Sequence, residues 1–466
     1  MKQYPIFLLA IFFCINAFAN SSEIDILPIE GEGVELLTLE QCLERARKNN
    51  SELRIAALDI QAATEQKREV FTYYVPRISA NVLAFQLVDE LIKASGTYPQ
   101  EVTAASSLLL SANNAQFNIA ELNRGYAASA TILQPLYYGG QIISGNKLAR
   151  VQQDVMKLKL EMTEDEVLQK VTDCYWQLAC VRYNLSTIDA ADELMDAVMR
   201  QVNAFLKAGV TTRNSELKVR LRQQELSSLR LKFENTDHIL RLLLAQMIGI
   251  TPADADKNFD IVLEDKPVEQ PIELAENPLS FSPDYRTELQ LANHAIKAQS
   301  LQVKIERGKY LPHLGIGVGG YHSAFGGFSN EVKSYLCPYA YNGFVFGSLS
   351  IPISDWWGGS HAIKRQKIKL QQAQILRDDT RQLLQIDIER AWSNLQEAYK
   401  QTQIAETSCE EAAENLRMSS DQFRMGTCTL TDMLDAETLN RKAQNDLAQA
   451  KANYQIALAN YRRKVP

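Results

Sequence analysis

The residues best able to bind a metal or attack a substrate are five histidines and seven cysteines. The histidines (His238, His294, His313, His322, His361) are scattered and never form the H-E-x-x-H pair of a metalloprotease. No glycine-rich phosphate loop and no nucleophile elbow is present. Cys14 lies in the apolar leader. The other six cysteines, Cys42, Cys174, Cys180, Cys337, Cys409 and Cys428, include no C-x-x-C pair and no spacing that suggests a zinc site or a disulfide framework. They read as small buried hydrophobes. The sequence therefore predicts no catalytic residue, no metal and no cofactor, and the chain reads as a non-enzyme.

Its partners are constrained by charge and by the N-terminus. Lysine and arginine number 49 against 56 acidic residues, a net charge of −7, which argues against nucleic acid as a partner. Lys2, the apolar run Ile6–Ile15 and the small residues of Ala17-Phe18-Ala19 form a signal peptide, residues 1–19, cut before Asn20. The run is too short for a spanning helix, which needs about 20 residues. The bulky Phe13 before Cys14 argues against lipidation. No other segment reads as a spanning helix, so a membrane form must use strands closed into a barrel.

The elements that would position any function are written twice. Phe205-Leu-Lys-Ala-Gly209 is echoed by Phe423-Arg-Met-Gly426, the two glycines standing 217 residues apart. Gln134-Pro135-Leu-Tyr-Tyr-Gly139-Gly140 is echoed by Pro352 through Gly358-Gly359, with the prolines also 217 apart and two extra residues before the second Gly-Gly. Tyr74-Val-Pro76 matches Tyr310-Leu-Pro312. Two copies in the same order mean a duplicated fold: a first repeat over 20–249, an inter-repeat linker over 250–283 and a second repeat over 284–466.

Each repeat begins with a helix, Leu39–Tyr73 or Asp284–Tyr310, stopped by proline. Two strands follow, separated by a loop (Leu87–Asn123, His322–Tyr341). Pro and Gly-Gly then mark the return to helix. The runs Gly140–Lys207 and Gly359–Arg424 contain no proline, and each would extend about 100 Å as a helix. Apolar residues recur at 3-4 spacing (Leu148, Val151, Val155, Leu158, Met162), which predicts coiled-coil packing. In the strands, Ile78, Ala80, Val82 and Ala84 alternate with Arg77, Ser79, Asn81 and Leu83, and Tyr126, Ala128, Ala130 and Ile132 with Ser129 and Thr131; Leu314, Ile316 and Val318 alternate with glycine, and Phe344–Ile351 is mixed. Such alternation suits a lipid-facing barrel and an ordinary half-buried sheet equally. The pairs Tyr137-Tyr138 and Trp356-Trp357, read as equivalent strand ends, favour the membrane as an interfacial girdle. Four strands are too few to close a barrel, since single-chain barrels begin at about eight. Several copies must then share one.

This pattern resembles the TolC-like outer-membrane efflux channel family. The resemblance is carried by Gln134–Gly140, by its echo Pro352–Gly359 and by both helix turns, most strongly by Gly426-Thr-Cys-Thr-Leu-Thr-Asp-Met-Leu-Asp-Ala436. It implies a mainly α fold with transmembrane β structure: a long α-helical barrel in the periplasm, and four strands per chain given to the shared β-barrel of a homotrimer in outer-membrane lipid. It implies as partners a periplasmic adaptor (membrane fusion) protein and an inner-membrane pump. Adaptor docking falls on the tip residues Gly209, Val210, Thr211, Gly426, Thr427 and Cys428. A pore-constricting acidic ring falls on Asp432 and Asp435. An aspartate in the first turns of a helix is equally what the macrodipole favours. The family's latch positions hold Cys428, Phe423 and Ser215, which cannot form a charge-assisted latch; Arg213, Arg424 or Glu216 are candidate substitutes.

The expected function is an outer-membrane exit duct for drugs or other small molecules, passive and driven by the pump. A protein-secretion duct of the same fold and a pore-less periplasmic coiled-coil protein are the alternatives.

Overall fold

A computed structural model of the chain describes residues 35–86, 124–251, 259–262, 268, 282–326, 340–354 and 356–465. The signal peptide, Cys337, most of the inter-repeat linker and most of both inter-strand loops lie outside these residues.

The described elements are β1 (Glu35–Leu37), α1 (Leu39–Asn49), α2 (Ser51–Phe71), β2 (Arg77–Gln86), β3 (Arg124–Tyr138), α3 (Gln141–Lys207), α4 (Arg213–Ile248), β4 (Phe259–Ile261), α5 (Thr287–Gly308), β5 (His313–Gly326), β6 (Ala340–Ser350), α6 (Trp356–Arg424) and α7 (Leu430–Lys464). The long helices run for 67 and 69 residues. In each repeat a helix, two strands, a very long helix and a glycine turn recur in order, as the sequence predicts.

Three boundaries differ from the sequence reading. First, the helix expected over Leu39–Tyr73 is two. Asn50 closes α1 and caps α2, its Oδ1 accepting from the backbone N–H of Glu52 (2.8 Å) while its Nδ2 donates to the Met247 carbonyl (2.9 Å). A buried side chain that serves two helix ends fixes the break. Second, the two Gly-Gly pairs are not equivalent. Gly139 and Gly140 take left-handed φ values of 60° and 75° before α3, whereas Gly358 and Gly359 already lie inside α6. The two extra residues of the second motif let the helix begin earlier. Trp356 and Trp357 therefore open α6 and do not end a strand. Third, β5 and β6 reach Gly326 and Ala340, which takes both ends from the loop expected over His322–Tyr341.

Gly139 packs so closely on the end of α5 that a Cβ there would lie 2.1 Å from the Gly308 carbonyl oxygen. Left-handed backbone and lack of space act together. Gly139→Ala is expected to cost roughly 3 kcal/mol or more, a size reserved for steric conflicts of this kind. Thermal unfolding followed by circular dichroism checks it, and a melting temperature within a degree of wild type would contradict the close approach.

The four large strands form one antiparallel sheet in the order β2-β3-β5-β6. Its register separates two faces. Ile78, Ile132, Val318 and Val345 form one cross-strand row, while the next row is Ser79, Thr131, Gly319 and Phe344. Ser79 and Thr131 hydrogen-bond through their hydroxyls (2.7 Å). The apolar face is uncovered in the chain: Ile78 is 77 % exposed and Val345 74 %. An apolar face of this extent requires lipid or protein against it.

The principal core lies at mid-height, where Val171, Tyr175 and Leu178 of α3 meet Leu244 and Ile248 of α4 and the small parallel sheet β1-β4. The Tyr175 hydroxyl donates to the Val262 carbonyl at 2.6 Å. Arg182 there pairs with Asp237 (2.9 Å) and with Asp260, so the linker strand is held to α3 and, through Arg182, to α4. Cys42, Cys174 and Cys180 are buried thiols, as the sequence reading expects, and burial pushes Cys174 up to about 11. Cys409 and Cys428 depart from that reading, being only half-buried, Cys409 on α6 and Cys428 in the turn that follows it. Among the described residues no helix is long and apolar enough to cross a membrane.

Candidate functional site: the tip and the membrane sheet

The two glycine turns have one geometry. At the end of α3 the Gly209 N–H donates to Leu206 and the Val210 N–H to Phe205; at the end of α6 the Gly426 N–H donates to Phe423 and the Thr427 N–H to Gln422. With φ of 74° and 75° at the glycines, both are Schellman caps, which satisfy the last carbonyls of a helix. The fold brings the two turns together. Phe205 and Phe423 meet edge to face at 6.1 Å, above a cluster that includes Val202, Val219, Leu226 and Met433. Val210 and Met425 project from the turns, 74 % and 70 % exposed.

Beyond the second turn Thr429 and Asp432 form a capping box. The Asp432 carboxylate accepts from the Thr429 hydroxyl (2.6 Å) and N–H (3.3 Å), and the Asp432 N–H donates back to the Thr429 hydroxyl (3.2 Å). The Thr429 hydroxyl bond, against the opposing effect of burial and with help from the Thr429 N–H and the Cys428 thiol, holds the Asp432 carboxyl below the usual carboxylate range. Asp435 is exposed one turn further on.

Two of the candidate latch substitutes are engaged within their own helices. Glu216 pairs with Arg220 on its own helix (2.5 Å), and Arg424 approaches Asp421 on its own helix at 3.9 Å. Phe423 is a core residue, and Ser215 accepts from the Thr211 hydroxyl at 2.9 Å. A charge link that does cross, between α4 and α7, was absent from the sequence reading. Arg222 of α4 donates to Glu437 Oε2 of α7 from Nε (2.9 Å) and Nη2 (2.6 Å), and also contacts Thr438 and Glu225. Arg441 Nε stands 3.5 Å from the other Glu437 oxygen. The Glu437 side chain is only 2 % exposed. Burial opposes the Arg222 charge, but its bonds to Glu437 and Glu225 more than offset this and hold the guanidinium above its ordinary value. A signal existed in the pattern: Leu430, Met433 and Glu437 keep 3-4 spacing, so Glu437 is an acid at a core position.

At the lower end of the sheet Tyr137 and Tyr138 are half-exposed, and Tyr138 stacks on His313 with ring centroids 4.1 Å apart. Trp357 is 87 % exposed; the Trp356 side chain is outside the described residues. Phe71, Tyr73 and Tyr74 join this aromatic zone, with Arg77 over the Tyr73 ring at 5.0 Å. The sequence reading missed these three, although their run stands directly before Pro76.

An apolar-faced sheet with two open edges, carried on helical hairpins of this length, defines the class: a subunit whose sheet needs lipid or further protein against it. Residues 284–463 match the family model described as outer membrane efflux protein. The chain is 23 % identical over 436 residues to the pyoverdine export outer membrane protein OpmQ of Pseudomonas putida, covering 91 % of this chain and 85 % of that one. Its fold matches VceC of Vibrio cholerae (TM-score 0.69, 15 % identity, 91 % and 95 % of the two chains) and CmeC of Campylobacter jejuni (0.70, 15 %, 96 % and 93 %). The second repeat thus matches the outer membrane efflux protein family, and nearly the whole chain has the fold of these outer-membrane proteins.

Proposed function

We propose that three copies form a passive exit duct of a tripartite export system. Twelve strands close one barrel in the outer membrane, and the helices form the tunnel below it. A periplasmic adaptor docks at Gly209, Val210, Thr211, Gly426, Thr427 and Cys428, and an inner-membrane pump supplies the energy. The observation that carries this reading is the sheet, whose apolar face and open edges need lipid and further copies. Exposed Val210 and Met425 give the adaptor apolar knobs at the turns. The likeness to OpmQ favours small-molecule cargo over protein cargo. Tyr137, Tyr138, Trp356 and Trp357 lie at the membrane interface, and the reading leaves the chain no catalytic step.

Asp432 and Asp435 then ring the narrow tip, three copies of each around one axis, attracting cations and hindering anions. Crowding carboxylates raises their pKa. The Thr429 bonds to Asp432 act in the opposite sense, so the cap helps keep that position charged. The buried Arg222–Glu437 link holds α7 against α4 and keeps the tip closed.

The test is single-channel conductance of the mature protein, purified from outer membranes into a planar bilayer, with the oligomer mass taken on the same sample. A trimer giving small, cation-preferring conductance is expected. A water-soluble, non-conducting species would replace the duct with a periplasmic coiled-coil scaffold.

A further inference from the structure

Beneath the sheet the helices follow the strand order: α2 packs on α3, α3 on α5 and α5 on α6. This row has two flanks, the side of α2 away from α3 and the side of α6 away from α5. The inner side of α2 is fixed by Thr64 and Lys67, bonded to Gln153, and by the Val70 carbonyl, bonded to Asn146. At about 100° per residue, Ile55, Leu58, Ala62, Glu65 and Glu69 fall on the opposite side, and all are exposed. The inner side of α6 is fixed by Gln366, bonded to Gln299 at 2.9 Å, and by Gly359 against the Tyr310 ring. Trp357, Lys364, Ile368, Ile375 and Ile386 fall opposite, and all are exposed. Both flanks carry apolar residues at seam spacing.

Their charges are complementary. Residues 356–377 of α6 hold Lys364, Arg365, Lys367, Lys369 and Arg377 and no acid. The α2 flank holds Glu65 and Glu69. Glu65 is engaged by Arg68 of its own helix (2.7 Å), whereas the Glu69 and Lys364 side chains have no ionic partner among the described residues. Their heights also agree. Val70 lies beside Asn146, Gly139 against Gly308, and Gln299 beside Gln366. Stepping across the antiparallel row, Val70 stands level with Lys364 to within about one helical turn. Leu58 and Ile375 are then level too, each the same number of residues below Glu69 and Lys364.

We propose, resting on the shared-barrel reading, that α6 of one copy packs on α2 of the next. Lys364 pairs with Glu69 and Ile375 seats on Leu58, below a β6-to-β2 strand pairing that closes the sheet edges. The occupant of each flank is a second copy of this chain, and the ionic pair sets the height at which neighbours join.

The experiment uses the full mature chain in detergent. Glu69→Cys with Lys364→Cys should give covalent dimers and trimers on oxidation, seen on a denaturing gel, whereas each single variant should give neither; the singles control for the native cysteines. Lys364→Glu alone and Glu69→Lys alone should lower the temperature at which the oligomer dissociates at low salt, and the two together should restore it. The differences should shrink near 1 M salt, where screening acts within about 3 Å. A wild-type trimer that yields no cross-link from the paired cysteines, or a charge swap that restores nothing, overturns this seam and leaves the duct standing. A monomeric wild type overturns the duct reading itself.

Discussion

Glu437→Gln should raise the conductance of the reconstituted channel several-fold at unchanged oligomer mass. Glu437 is nearly inaccessible and faces Arg222 on one oxygen and Arg441 on the other. Removing its charge leaves Arg441 facing a neutral amide and Arg222 with only the exposed Glu225 as counter-ion in a packed seam. Breaking one partner of a buried pair typically costs about 3–5 kcal/mol. Each 1.4 kcal/mol is about tenfold in an equilibrium, so even about 3 kcal/mol shifts a closed-to-open balance by about a hundredfold. The cost falls on the α4–α7 contact because Arg222 and Glu437 belong to different hairpins. Arg222→Gln should act in the same direction. Glu225→Gln is the control: its side chain is 62 % exposed, and an exposed pair is worth about 0–1 kcal/mol. Folded trimers of both variants with wild-type conductance would remove the link from any part in closure.

The second large effect is expected at the acidic positions. Asp432→Ala with Asp435→Ala should abolish most of the cation preference and most of the block by added cations, read as reversal potential and current in the same bilayers. The single variants should divide the roles. Asp432 is committed to Thr429 as the N3 member of the capping box, so its loss should also lower thermal stability. Asp435 lies beyond the box, and its replacement should act on ion selectivity with little change in stability. Acid gives an independent check. The folded-state pKa of Asp432 is depressed, so the cap's contribution is fully present above the ordinary aspartate value of about 3.9 and is lost as the pH falls through the lower folded value. The Asp435→Ala channel should therefore keep its residual cation preference at a pH where free aspartate is half-protonated. Ion selectivity untouched in the double variant would sink the ring.

Much of this architecture is legible without coordinates because its signals are local. Proline at 76 and 312 blocks a helix from running through it, since it lacks an N–H and restricts its predecessor. Gly209 and Gly426 announce their turns because a left-handed cap favours glycine. Alternation along β2 and β3 follows from the two-residue period of a strand, and the observed register keeps it. The duplication is read by counting along the chain, and the oligomer by counting strands.

What stayed illegible depends on partners distant in the chain. Asn50 looks like one more helix residue until Met247 is placed beside it. Gly139 and Gly359 share a motif, yet one meets the Gly308 backbone and the other the Tyr310 ring. Arg222 and Glu437 are 215 residues apart, and no single-chain pattern pairs them. The sequence by itself determined the elements, their order, their duplication and the need for several copies, because periodicity and turn chemistry act over a few residues. Only the tertiary structure decided which charges meet at the tip and which helix flanks remain open, because an ion pair or a seam exists only once two distant segments have been brought to the same height.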